Sequence, residues 1–341
     1  MNKKLLVIAV GAAMVAGSTA VMAEATVYGK INMAVASYDD GDDSPNDDAG
    51  LGIFDEASRL GVKGSADIGG DLKAVFKAEG TIDMDGTNTF QFNRDSYIGV
   101  KGGFGELTIG HRNTSYKDAT GKMDLFADMV GDVTGSGFGS FDSRVTNQVK
   151  YKGKFGMVSV GVDVDFSEND DNAGADRDKM GNTIAVGFAP MKGLKVTLAS
   201  ATRGGATTAV NDTAQKVGVQ WKGGPHKVNF VYKTETDDSA ATDDKSTVMY
   251  GQYGLTMGMD VIQLSYSMAD TDVDDTDATQ TSVAYVRNFN KKTKAYVAYT
   301  TVANGDAVSH DGRLDSGISH LDNIDAGSTA TLFGVGITHK F

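Results

Sequence analysis

Met157-Val-Ser-Val-Gly-Val-Asp-Val-Asp-Phe166 decides the fold class. In an extended chain Val158, Val160, Val162, Val164 and Phe166 share one face, while Ser159, Gly161, Asp163 and Asp165 share the other. A period of two belongs to a strand with one apolar and one polar side. The pattern recurs. Val196 and Leu198 oppose Lys195 and Thr197, Val228, Phe230 and Tyr232 oppose Lys227, Asn229 and Lys233, and Ile262, Leu264, Tyr266 and Met268 oppose Gln263, Ser265 and Ser267. Ile184, Val186 and Phe188 form a further stripe, as do Val217, Val219 and Trp221. Sixteen candidate strands result, near 26–37, 57–65, 71–82, 91–101, 104–111, 145–152, 156–166, 182–189, 194–202, 214–222, 226–235, 246–253, 258–269, 280–289, 292–302 and 331–341. The segments 280–289 and 292–302 alternate weakly and are placed by spacing.

The connections alternate as well. Short ones, such as Gly102-Gly103, Lys152 to Phe155, Gly223-Gly224-Pro225 and Asn290-Lys291, interleave with long acidic ones at Asp39 to Asp48, Glu168 to Asp178, Thr236 to Asp244, Asp270 to Asp277 and Asn304 to Gly327. Strands of roughly 9–11 residues, with short turns at one end and long loops at the other, are the layout of an outer-membrane barrel. A soluble sandwich would need two or three domains for a meander of this length, and neither a linker nor a composition break divides the chain. No fixed repeat of the solenoid kind is visible.

Composition narrows the function. The 341 residues include 43 Gly, 3 Pro and no Cys, with 45 acidic against 32 basic side chains and a formal charge of −13. Without Cys there is no disulfide framework, thiolate metal site or cysteine nucleophile. The long charge runs are acidic, which argues against a nucleic-acid partner. Residues 1–23 read as a cleaved signal peptide: Lys3 and Lys4 precede the apolar stretch Leu5 to Gly17, and Val21-Met22-Ala23 ends in small-x-small fashion. That leaves 24–341 as one domain, with no other run of about 18 apolar residues to form a membrane helix.

Several stretches then resemble the general porins of Gram-negative bacteria, the trimeric sixteen-stranded kind. They are Thr26-Val-Tyr-Gly-Lys30, Ser58-Arg-Leu-Gly-Val-Lys-Gly64, Asp67-Ile-Gly-Gly-Asp-Leu-Lys-Ala74, Asn93 through Gly110, Asn147-Gln-Val-Lys-Tyr151 and the terminal Phe341. The resemblance implies an all-β transmembrane antiparallel barrel of about 16 strands with an inward-folded third loop. It also implies a location in the outer membrane, a homotrimer, and a terminal Phe341 read by the barrel-assembly machinery.

A barrel that wide cannot fill its lumen with side chains and holds water unless something folds inside. The stretch Arg112 to Asp142 lacks strands, and a loop that long is usually functional or disordered. By resemblance it is the constriction loop, about 112–142. Leu125, Phe126 and Met129 would pin it to the inner wall, leaving Asp118, Asp124, Asp128 and Asp132 as the acidic side of a pore constriction. Arg59, Arg94 and Arg144 match the family's facing arginines, and Lys77 and Lys63 are further lumenal candidates. Arg94 fits poorly, because alternation places it with Ile98 and Val100; a bulge or an off-membrane position is needed.

Other motifs do not hold. Asp270-Thr-Asp-Val-Asp274 starts like a calcium loop but carries Asp275 where Gly is needed and Thr281 where Glu is needed. Solvated loops, bridging divalent cations to lipopolysaccharide, are the better reading. The five His show no metal spacing or nucleophile elbow. No cofactor, metal or catalysis is expected, but passive diffusion of small hydrophilic solutes and ions. The alternatives are a substrate-specific porin for a sugar, organic acid or phosphate, and an outer-membrane barrel enzyme or adhesin.

Overall fold

Alternation of this kind leaves each strand with unpaired backbone groups on both edges, and in an apolar medium closure of the sheet on itself satisfies them. The computed structural model describes residues 24–41, 49–86, 90–133, 141–166, 181–204, 211–237, 244–271, 277–306 and 327–341. Residues 1–23 and most of the long acidic loops lie outside them. The elements run β1 (Glu24–Asp39), β2 (Gly50–Asp55), β3 (Arg59–Gly69), β4 (Leu72–Thr81), β5 (Ser96–Gly102) and β6 (Gly105–Asn113), then one helix, α1 (Ser115–Thr120). There follow β7 (Arg144–Phe155), β8 (Val158–Asp165), β9 (Gly181–Met191), β10 (Leu194–Gly204), β11 (Asn211–Gly223) and β12 (His226–Asp237). The last are β13 (Asp244–Met257), β14 (Asp260–Thr271), β15 (Ala278–Asn288), β16 (Thr293–Asn304) and β17 (Thr329–Lys340).

From β3 to β17 each strand pairs antiparallel with its sequence neighbour, and β1 closes on β17 with Lys30 opposite Lys340 and Asp39 opposite Thr331. On its other edge β1 pairs first with β3, Glu24 opposite Ser65, and then with β2, Met33 opposite Asp55. β2 and β3 are thus one stave broken at Glu56-Ala57-Ser58, and the closed barrel has sixteen staves. The sixteen expected strands are present. The break is the difference: Ala57 takes a positive φ of 63°, and the bulge turns inward, as bulges re-aim side chains near functional sites.

The polar faces point into the lumen. On β17 Phe333, Val335 and Ile337 are exposed outward, while Ala330 and Leu332 are buried inside. On β8, Val162 is exposed and Asp163 is buried. At the short-turn end, Gly156 and Gly258 hold left-handed φ values of 60° and 66°, which other residues adopt at a cost.

Candidate functional site

The segment after β6 fills part of the lumen. Thr114 caps α1, its hydroxyl accepting from Lys117 N at 3.1 Å. The α1 N–H of Ser115 donates to Asp163 on the β8 wall, which also accepts from Thr183 Oγ1 at 2.7 Å and Gln148 Nε2 at 3.1 Å. Tyr116 packs with Phe141 against Ala185, Ala199, Ala201 and Ala214. Further along, Met123 and Val133 meet Val231 and Tyr250. Phe126, Met129 and Val130 then reach Ala34, Ala36, Ala298 and Leu332. The loop therefore crosses the inner wall from β9 round to β1.

Small residues in the wall make this possible. A Cβ on Gly218 would lie 2.7 Å from Met123 Sδ, and one on Gly334 2.7 Å from Val130 Cγ2. Burying Phe126 and Met129 contributes about 1.5–3 kcal/mol each by area.

Charge holds the two arms. At the exit, both carboxylate oxygens of Asp142 are taken, one by Lys216 and one by Lys233 at 3.2 Å, with all three side chains buried. Lys117 Nζ donates to the Asp142 carbonyl at 2.8 Å, tying the loop's start to its end. Burial alone would raise the Asp142 carboxyl, but the two ammonium groups hold it below the usual range. At the entry, Asp118 pairs with Lys150 at 2.9 Å and with Lys152. Its carboxyl is likewise held low despite burial.

At the tip, Asp128 faces the wall. Its Oδ2 lies 2.7 Å from Lys30 Nζ and 3.3 Å from Arg59 Nη2. Burial raises this carboxyl, and Lys30 and Arg59 bring it below the ordinary value. Asn32 Nδ2 donates to the Asp128 carbonyl at 2.7 Å and to the Glu56 carbonyl of the bulge at 2.6 Å, which Lys30 Nζ also reaches at 3.0 Å. The inward bulge and the loop tip thus share one pair of β1 side chains.

Beyond Arg59 the charged wall continues. Arg94 Nε donates to Glu79 at 2.8 Å, Lys77 Nζ lies 3.2 Å from Glu79 and 3.3 Å from Asp95, and Arg144 Nε is 3.3 Å from Asp95. The Tyr28 hydroxyl donates to Glu79 at 2.6 Å. Arg94 meets its partners because β5 starts only at Ser96, so the arginine sits ahead of the strand and free of its alternation. Lys63 stands 4.9 Å over the Tyr28 ring.

The structure therefore brings Arg59, Arg94, Arg144 and Lys77 together with Asp128. It places the other three loop aspartates elsewhere. Asp118 anchors the entry arm. Asp124 and Asp132 are buried inside the loop. Asp124 accepts from Phe126 N at 2.8 Å, Gln252 Nε2 at 2.7 Å and Val133 N at 3.4 Å, and Asp132 accepts from Asp128 N at 2.7 Å. Burial pushes the Asp124 carboxyl up, and a hydrogen bond with Asp132 opposes that rise. Sequence reasoning missed Lys30, Glu79 and Asp95 on the wall and Lys216 and Lys233 in the exit clamp. For Lys30, Glu79 and the clamp lysines the signal was present: each holds the lumenal parity of its strand, as Tyr28, Lys77, Ala214 and Val231 do.

At the chain end, Phe341 N donates to Gly29 O at 3.1 Å and Gly29 N to Phe341 O at 3.3 Å, so the terminal aromatic lies against β1 at the seam.

The chain matches the Gram-negative porin family over residues 9–307. It is 29% identical to outer membrane porin protein 32 of Delftia acidovorans over the full length of both chains. To the major outer membrane protein P.IB of Neisseria meningitidis serogroup B it is 37% identical over 35% of this chain and 36% of that one. The structure of an anion-selective porin from Comamonas acidovorans superposes with a TM-score of 0.81 at 25% identity, covering 94% of this chain and 100% of that one. A closed barrel of sixteen staves, a loop seated within its lumen and a match over most of its length make this chain a member of the Gram-negative porin family, whose members are channels of the outer membrane.

Proposed function

We propose that this porin prefers anions and that the gap between Asp128 and the charged wall sets the preference. One observation carries the reading: five cations, Lys30, Arg59, Lys77, Arg94 and Arg144, face three carboxylates, Glu79, Asp95 and Asp128. Two positive charges remain in excess where a permeating ion passes nearest to fixed charge. The name of the Comamonas relative, an anion-selective porin, agrees with this. The acidic outer loops act in the opposite sense, but charges in water are screened beyond a Debye length of about 8 Å at physiological salt. The test is the zero-current potential of purified protein in a planar bilayer under a potassium chloride gradient. The dilute side is expected to become negative; a positive dilute side refutes the assignment.

The channel works as a homotrimer. Among the described residues, the exposed large hydrophobic side chains on β1 to β6 are aliphatic, among them Val27, Val35, Leu51, Ile53, Ile98 and Ile109, with Phe90, Phe92 and Phe104 in the connections, whereas Trp221, Tyr232, Tyr266, Tyr285 and Tyr299 lie on later strands. Aromatics favour the lipid interface, so their scarcity marks the first strands as the wall shared between copies. A monomer in native mass spectrometry from mild detergent would overturn this. Residues 1–23 direct export, and N-terminal sequencing of the mature protein is expected to begin at Glu24. The barrel-assembly machinery reads Phe341, and the acidic outer loops meet lipopolysaccharide. Residues 112–142 form the constriction.

A further inference from the structure

Below the loop, toward the short turns, the charge pattern changes. On the wall described above Lys30, Arg59, Lys77, Arg94 and Arg144 each have a carboxylate partner. Lys122 of the loop, Lys195 on β10, Lys222 on β11 and Lys227 on β12 have none within ion-pair distance among the described residues. They are nevertheless gathered in one place. Lys227 Nζ donates to the Lys122 carbonyl at 3.3 Å, and Gln220 Nε2 donates to the same carbonyl at 3.2 Å. Lys195 is the cross-strand partner of Gln220, and Lys222 that of Lys227.

The nearest acids are already engaged. Asp118 is held by Lys150 and Lys152, and Asp124 by Gln252 and two loop N–H groups. Beside the lysines, Asn229 accepts at Oδ1 from Gln220 at 3.0 Å. Its Nδ2 has no partner, although the residue is 0% exposed. A buried amide N–H left without an acceptor carries a cost, and so does crowding like charges; an anion removes both.

We propose that Lys122, Lys195, Lys222 and Lys227, with the Asn229 amide, form a second anion-binding station on the short-turn side of the loop, suited to a doubly charged oxyanion of the phosphate class. The station offers donors and, among the described residues, no carboxylate within ion-pair distance, so it holds a dianion better than chloride, and a paired wall does not. It rests on the chain being a channel and is independent of which ion the gap at Asp128 favours.

Inorganic phosphate is the probe. Single-channel chloride current is measured while potassium phosphate replaces potassium chloride at constant ionic strength, on each side of the bilayer in turn, at a pH where phosphate is chiefly dianionic. A saturable fall in current is expected, stronger from the short-turn side. The K122Q/K195Q/K227Q variant is expected to raise the half-blocking concentration about tenfold, and K195Q alone about threefold, the latter standing in if the triple variant fails to insert. A fall that never saturates overturns the proposal. So does a shift below threefold in the triple variant or an unchanged dose response in K195Q. The zero-current potential is recorded on the same channels. If wild type prefers cations yet shows saturable block lost in the variants, the selectivity reading fails and the station stands.

Discussion

Replacing Asp128 by Asn should move the channel further toward anions. Among the described residues this carboxylate is the loop's one contribution to the charged wall, 2.7 Å from Lys30 and 3.3 Å from Arg59, and it retains 34% side-chain exposure. Removing it raises the local excess from two positive charges to three. One unit charge acting on an ion at 4 Å through water is worth about 1 kcal/mol, which is roughly fivefold in the local concentration of that ion, with 1.4 kcal/mol per factor of ten. Chloride rises and potassium falls by comparable factors before screening, so a several-fold change in the permeability ratio is expected at low salt, shrinking as salt shortens the Debye length. Asn keeps the loop's Asp128 backbone contacts to Asn32 and Asp132, so the conformation is retained. The assay is the zero-current potential in a potassium chloride gradient, with Asp124→Asn as the comparison. Asp124 is buried and faces Gln252 and loop amides, so it is expected to change selectivity little. An unchanged potential for Asp128→Asn, or a larger shift for Asp124→Asn, would refute the placement of Asp128 as the loop's pore-facing charge.

Asp142→Ala leaves Lys216 buried without its closest carboxylate and Lys233 with Glu235 alone, at 3.8 Å; an uncompensated buried charge costs about 3–5 kcal/mol, and the expected result is frequent current fluctuations in single-channel records, with steady wild-type openings. Asp118, Asp128 and Asp142 all have depressed carboxyls, so their stabilisation is present above the unfolded aspartate value of about 3.9 and is lost as pH falls through the folded values; conductance should stay steady from pH 7 to about 4 and become noisy only well below that. Gly29→Val places a Cβ 2.3 Å from the Phe341 ring, and both this variant and deletion of Phe341 are expected to lower the amount of heat-modifiable, membrane-inserted protein; normal amounts would contradict the seam contact's role.

The barrel was legible because its physics is local. Parity alone assigns Val162 outward and Asp163 inward, and the structure agrees. β2 escaped notice because Phe54 is apolar yet faces inward, against Tyr38 and the loop's hydrophobic cluster, so Gly50 to Asp55 lacks a clean polar face. Arg94 conflicted with alternation only under the assumption that its strand began before it. The loop was legible as a length and a set of apolar pins, of which Phe126 and Met129 are fully buried. Which of its aspartates meets water was not. That depends on contacts between residues as far apart as Asp124 and Gln252 or Asp142 and Lys233, separated by 128 and 91 positions, and no local pattern encodes such pairings.

The seam between β1 and β17 has a consequence in time. Lys30 lies opposite Lys340, so the two edges that close the cylinder lie about three hundred positions apart in sequence. Going from a hairpin of a few residues to this span is about six doublings of loop length, on the order of 4 kcal/mol of extra closure entropy. Until the seam forms, two full strand edges present unpaired N–H and C=O groups, which hydrocarbon does not tolerate. A chain lacking its last strand therefore has no stable place in the bilayer, however well its first fifteen staves pair. Entry into the membrane and completion of the cylinder become a single event, and it waits for β17 to meet β1.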